Sequence, residues 1–251
     1  MIKLSGCDSI KQGLLKTSSD TVRLLSCVSI TGCDSVRLGI LNSVQDLLRL
    51  ACNSISIKIG SQQWMKVNLD VVTYRNGNVI PQVTDATTWA NLTTGAWCYY
   101  KNDPKNGAIY GKLYNWYAVN DSRGLAPQGW HIPTDAELTI LSTALGGLSV
   151  AGGKMKNTGT TLWTSPNTGA TNESGFAGLP GGYRTSSGEP SPFVGGEFYN
   201  VGNAGFWWSA NQYNSSNTMS ALRVSLYYAN VDLLRSANFK GSGFSVRCLR
   251  D

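Results

Sequence analysis

Polar and apolar residues alternate with a period of two over many short stretches of this chain, and one segment alone carries clear helix signals. In "LRVSLYY" Leu222, Val224 and Leu226 alternate with Arg223, Ser225 and Tyr227, and Tyr228 follows at once. This is a strand with one face buried and one face carrying Arg, Ser and Tyr. Phe244, Val246 and Cys248 repeat the alternation near the end, so all six apolar positions are expected in the core. "SISIKIG" (54–60) alternates, "WMKVNLDVVTY" (64–74) follows, and "RNGN" (75–78) is a hairpin-type turn. A helix is predicted after Pro133, where Thr134 and Glu137 have capping-box spacing, and Gly146 and Gly147 end it. From there to "GFWWSA" (205–210) the chain is dominated by Gly, Ser, Thr and Asn. That composition predicts long ordered loops with aromatic side chains filling the space between small sheets.

The N-terminal part has a different pattern. "GCDSIKQGLLKTSSDTVRLLSC" (6–27) matches "GCDSVRLGILNSVQDLLRLAC" (32–52), an internal repeat. Val36, Ile40, Val44, Leu47, Leu48 and Ala51 have helical spacing in the second copy, whereas "VRLLSCVSIT" reads equally as a strand. All 25 aromatic residues lie at or after Trp64 and the first proline is Pro81, which divides the chain into residues 1–55 and 56–251. The repeat is rich in aliphatics but too short for a core of its own. It reads as an oligomerisation or docking module, or as a subdomain packed on the rest.

Composition and charge exclude several functions. Charged residues make up 14% of the chain with a formal net charge of +6, and Lys and Arg are scattered rather than interleaved with aromatics, so nucleic acid is not an expected partner. No stretch approaches the length of a membrane-spanning helix. "MIKLSGCDSIKQG" lacks the apolar segment of a secretory signal, and "LSGC" (4–7) and "ITGC" (30–33) look like lipidation boxes by chance, since neither follows such a segment. Export without a classical signal, for instance within a particle released by lysis, is the expectation. The six cysteines show no C-x-x-C spacing, which argues against a zinc or thioredoxin-type site.

Catalytic candidates are few. His131 is the single histidine and reads as a structural, hydrogen-bonded one. Asp135 and Glu137 suit the first turn of the helix. Glu173, Glu189 and Glu197 lie in glycine-rich loops, where a carboxylate could act as acid, base or calcium ligand, but no EF-hand spacing supports calcium. Cys98 and Cys248 would be nucleophiles only if accessible and electropositive, and the alternation places Cys248 in the core. No metal or cofactor is expected.

Six motifs then occur in a specific order: "IGSQQWMKVNLD" (59–70), "GKLYNWYAV" (111–119), "GLAPQGWHIPTDAEL" (124–138), "GFAGLPGGYR" (175–184), "GFWWSA" (205–210) and "GFSVRCLRD" (243–251). They resemble the Fibrobacter succinogenes major paralogous domain over about residues 56–251. The resemblance implies an α+β, C-type lectin-like fold with small twisted sheets, one or two helices and long ordered loops. That fold is shared with formylglycine-generating enzymes and with the variable proteins of diversity-generating retroelements. "HIPTDAEL" and "LPGGYR" are similar to motifs of the enzymes, whose activity needs a pair of reactive cysteines near the C-terminus. This chain has only Cys248 there, so the activity is not carried over.

The resemblance to variable proteins implies a fixed frame around a segment, about 207–248, whose asparagine codons are rewritten at adenines. Between Ser209 and Gly243, Tyr213, Ser220, Arg223, Ser225, Tyr227, Tyr228, Leu233, Leu234, Ser236 and Phe239 are residue types reachable in this way, and Asn211 and Asn238 are unaltered asparagines. These twelve are the expected ligand-binding residues, with Gln212, Met219 and Lys240 unreachable. An exposed cluster of Tyr227, Tyr228, Leu233, Leu234 and Phe239 would itself favour binding. The alternative places Leu233, Leu234 and Phe239 in the core. The implied function is non-enzymatic binding of a protein or glycan on a bacterial surface, by a chain carried on a phage tail or a cell surface. The chain is expected to dock on the tail structure or to form a homo-oligomer, a trimer by analogy. A fixed bacterial adhesin and a formylglycine-generating-type oxidase are the alternatives.

Overall fold

The computed structural model describes residues 56–251 apart from Ser215, and these form one unit, Ser56–Asp251. The N-terminal repeat, with its expected docking or oligomerising role, lies outside the described residues. The fold is α+β: the described residues form eleven short strands in three sheets and five α-helices, joined by long loops. Among the described residues no helix is long and apolar enough to cross a membrane.

The ends of the unit meet in one four-stranded sheet. β1 (Ser56–Ile59) and β2 (Gln62–Met65) form an antiparallel hairpin, and β11 (Leu249–Arg250) lies between β2 and β5 (Trp130–His131). A two-stranded sheet pairs β3 (Trp97–Cys98) with β4 (Leu113–Tyr114). The largest sheet contains β6 (Gly181–Arg184), β7 (Phe198–Val201), β8 (Ala204–Gln212), β9 (Ser220–Tyr227) and β10 (Leu234–Phe239), in the order β10-β9-β8-β6-β7. Its one parallel pairing, β6 with β8, opposes Gly182 to Gly205. Both must be small. A Cβ on Gly182, which has a φ of +63°, would lie 2.4 Å from Tyr199 O, and one on Gly205 would lie 2.3 Å from Leu179 O.

The helices are α1 (Ala86–Ala90), α2 (Pro104–Tyr110), α3 (Trp116–Val119), α4 (Asp135–Ala144) and α5 (Leu148–Met155). α4 begins as the sequence predicts, with the Thr134 side chain accepting from the Glu137 amide and the Glu137 side chain from the Thr134 amide. α5 continues past the Gly146–Gly147 stop, a helix that its own glycines concealed. Gly152 and Gly153 are there for close approach: a Cβ would lie 2.1 Å from Asp232 O and 2.6 Å from Gly169 O, respectively. The segment after β9 is fastened across this helix, with Gly153 N donating to Val231 O (2.9 Å) and Leu233 N to Leu148 O (2.8 Å).

That crossing corrects one expectation. Leu233, expected on the binding surface, is 1% exposed and packs in the main core with Leu141, Trp163, Trp207, Val224 and Leu226. Tyr228 is only partly buried but packs against the same cluster. Val224, Leu226, Phe244, Val246 and Cys248 are buried as the alternation predicts, whereas Leu222 is only partly so.

Buried cations organise the loops. Arg247 is 1% exposed and donates to the carbonyls of Met65 (3.1 Å), Lys66 (2.9 Å) and Phe176 (2.6 Å) and to Asn68 Oδ1. Arg184 donates to the carbonyls of Gly196, Val83 and Thr84, each at 2.8 Å, between the rings of Trp89 and Phe198. Lys156 Nζ donates to the carbonyls of Thr168, Tyr227 and Asn230. Irregular backbone inside a protein needs donors for its carbonyls, and these side chains supply several each.

Candidate functional site

The two faces of β9 serve different ends. Val224 and Leu226 point into the main core, while Arg223, Ser225 and Tyr227 belong to the opposite face, which borders a cleft of about 350 Å³. Cross-strand register puts Phe206 and Trp208 of β8 and Leu234, Ser236 and Asn238 of β10 on that same face. "GFWWSA" is thus apolar on both sides because both sides of the sheet are covered.

The wall of the cleft is a packed set of rings. Phe206 stacks on Phe244 (5.3 Å between centroids) and lies 5.0 Å from Tyr183 and 5.8 Å from Tyr227. Phe193 meets Tyr199 edge-on at 4.9 Å. Such edge and offset contacts hold the rings in fixed orientations. Tyr183, Phe206 and Phe244 are buried and form the base, and the loop carrying Glu189, Pro190 and Phe193 closes one side.

Arg223 lies over this base, its guanidinium carbon 4.9 Å from the Phe206 ring centre and 5.8 Å from that of Phe244. Nη1 donates to Ser225 Oγ (2.7 Å), and Nε is buried with no hydrogen-bond partner among the described residues. Burial pushes the Arg223 pKa down, against opposing contributions from Tyr227, Tyr183 and Glu189. Glu189 Oε1 accepts from Asn238 Nδ2 (3.1 Å) and Ser242 Oγ (2.8 Å). Burial, and then the charge of Glu189, raise the Tyr183 phenol well above its ordinary range, so it stays a neutral hydroxyl.

Of the twelve expected residues, Ser220, Arg223, Tyr227, Asn238 and Phe239 line the cleft. Ser225 does not present itself to solvent: it is fully buried beneath Arg223, whose guanidinium needs its hydroxyl. Ser220 is also largely buried. Asn211, Tyr213, Leu234 and Ser236 are exposed but outside the lining. Asn211 has a structural task, since its Oδ1 accepts from the Asp135 amide (2.7 Å) at the start of α4. Arg235, between Leu234 and Ser236, pairs with Asp135 and donates to Thr139 Oγ1 (3.0 Å), tying β10 to the same helix. Glu189, read from the sequence only as a possible acid, base or calcium ligand, also lines the cleft, as do Tyr183, Phe193, Phe206 and Phe244, which were not legible as site residues. The available signal was the double-sided apolar pattern of "GFWWSA".

The other candidate chemistry is structural. His131 Nδ1 meets Asp251 Oδ1 (2.7 Å) and Nε2 meets Glu137 Oε1 (2.9 Å), so both ring nitrogens are occupied and neither is left for a substrate. Cys98 and Cys248 are fully buried and unpaired, and burial pushes both thiols up to about 12. A thiol so placed is neither ionised nor reachable. Among the described residues no group of three or more His, Cys, Asp or Glu is gathered as a metal site.

No curated protein and no solved structure matches the chain. Residues 57–250 match the family model of the Fibrobacter succinogenes major domain, which takes in every element around the cleft. The chain belongs to the Fibrobacter succinogenes major domain family.

Proposed function

We propose that this is a non-enzymatic binding protein whose C-type lectin-like frame presents a diversified surface through the segment of about 207–248. One observation carries the reading. Residues of types reachable by adenine-directed rewriting, Ser220, Arg223, Tyr227 and Phe239, converge with Asn238 on one cleft, over a base of Tyr183, Phe206 and Phe244 from the flanking motifs. A fixed aromatic base under exchangeable side chains is the arrangement a binding surface needs if its specificity is to change without its fold. Burial of both thiols speaks against the oxidase alternative. In this reading the protein is displayed on a phage tail, for attachment to a protein or glycan of a bacterial host.

The DNA beside the gene tests this reading. A near-copy of the 3′ end of the coding sequence, differing mainly at adenines and lying next to a reverse transcriptase, is expected. Its absence would leave a fixed surface adhesin as the reading.

A further inference from the structure

We propose that the cleft takes a carboxylate from a protein partner, an acidic side chain or a chain terminus seated between the aromatic rings with its oxygens on the Arg223 guanidinium. The proposal rests on the ligand-binding reading above and adds the chemistry of the ligand.

Arg223 is the one cation among the described residues that line the cleft. It lies over Phe206 and Phe244, and its buried Nε has no hydrogen-bond partner among the described residues. Arg184 and Arg247, the two fully buried arginines among the described residues, instead have their donors taken by carbonyls or an amide oxygen. A guanidinium with an idle N–H gains most from two oxygens in one plane, the geometry of a carboxylate. Glu189 does not already fill this role. Its Oε1 is held by Asn238 and Ser242, and it forms no ion pair with Arg223. A fixed negative charge in the lining also sets an upper limit on the ligand, since one carboxylate is tolerated whereas a phosphate or a polyanion is repelled.

The surroundings favour a protein over an acidic glycan. Leu234, on the same face of β10 as Asn238, is 40% exposed. Val194, next to Phe193, and Met219, next to Ser220, are 61% and 60% exposed. Such a border offers apolar contact area to side chains and little hydrogen bonding to sugar hydroxyls.

The test follows the Arg223 Nε–H resonance of the full chain by NMR, assigned by its loss in R223K. N-acetyl-phenylalanine, its primary amide and glucuronic acid are titrated in turn. The acid is expected to shift that resonance and to bind about tenfold or more tightly than the amide, the factor a charge-assisted pair supplies. R223Q is expected to abolish the difference, and R223K, which keeps the charge but not the fork, to retain part of it. Equal binding of acid and amide, or an unmoved Nε–H signal, would overturn the proposal. Tighter binding of glucuronic acid would overturn the protein assignment in favour of an acidic glycan. If R223Q does not fold, the parent chain and R223K decide the matter. The two readings fail separately: a missing template repeat ends diversification and leaves the acid–amide difference standing, whereas equal binding ends the carboxylate assignment and leaves diversification standing.

Discussion

Arg247 and Arg223 each lie over an aromatic ring, and among the described residues neither is in an ion pair, yet they differ in how far their donors are used. Arg247 is saturated: three carbonyls and Asn68 Oδ1 accept from it, and although burial lowers its pKa to about 9 it stays charged near neutral pH. Arg223 is lowered by burial too, but its side-chain partners are Ser225 and Tyr227 alone among the described residues, and Nε has none. The first fastens strand to loop and loop to loop, so its chemistry is spent inside the fold. The second has fewer partners, and its unused capacity is what the proposed carboxylate would draw on. Partner supply, rather than burial, is what distinguishes Arg247 from the cation of the proposed site.

The comparison breaks first at Arg247. Replacing it with Leu removes the shared donor and leaves buried acceptors unsatisfied, so R247L is expected to lower stability by about 3–5 kcal/mol, read as a shift in the denaturation midpoint. A loss below about 1 kcal/mol, the ordinary worth of one hydrogen bond, would mean that the saturated arginine does not hold the frame.

Apolar side chains come next, and they sharpen the distinction along a single segment. Leu226→Ala and Leu233→Ala are each expected to cost about 2–4 kcal/mol, because both side chains lie in the main core. For Leu233 this outcome reverses what its residue type suggests. A reachable leucine in a polar run reads as surface, and its burial depends on α5, whose Gly152 and Gly153 look like loop residues until the chain crossing them is seen. Alternation placed Val224 and Leu226 because a strand carries its own period. The capping box placed α4 because Thr134 and Glu137 are only three residues apart. The cleft was legible only on its β9 and β10 side. Its other half comes from Tyr183, Glu189 and Phe193 in a loop-rich stretch without periodicity, brought near by the parallel pairing of β6 with β8.

Smaller and dependent on pH is the effect of His131, which fastens the C-terminal Asp251 to α4. Burial alone would lower its pKa, but the hydrogen bonds and charges of Asp251 and Glu137 outweigh that and raise it above 6.5. A raised native pKa gives stability that is fully present below the unfolded value and lost as pH rises through the native one. His131→Gln is therefore expected to destabilise the protein near pH 5.5 and to matter less near pH 9. The side chain is 35% exposed, so solvent screening limits the effect to about 0.5–1 kcal/mol. Parallel melting curves of parent and variant across that range would contradict the assignment.

The smallest effects belong to Leu234 and Ser236, on the cleft face of β10 but outside the lining. Both are exposed, so Leu234→Ala and Ser236→Ala are expected to change stability by no more than about 0.5 kcal/mol. Their neighbour Arg235 is the internal control. It points to the other side of the strand and pairs with Asp135 at the start of α4, so Arg235→Ala should loosen that junction while leaving the cleft lining unchanged. If Leu234→Ala were as destabilising as Leu233→Ala, the surface of β10 would be part of the frame. The exchangeable residues of the proposed reading would then be confined to the cleft itself.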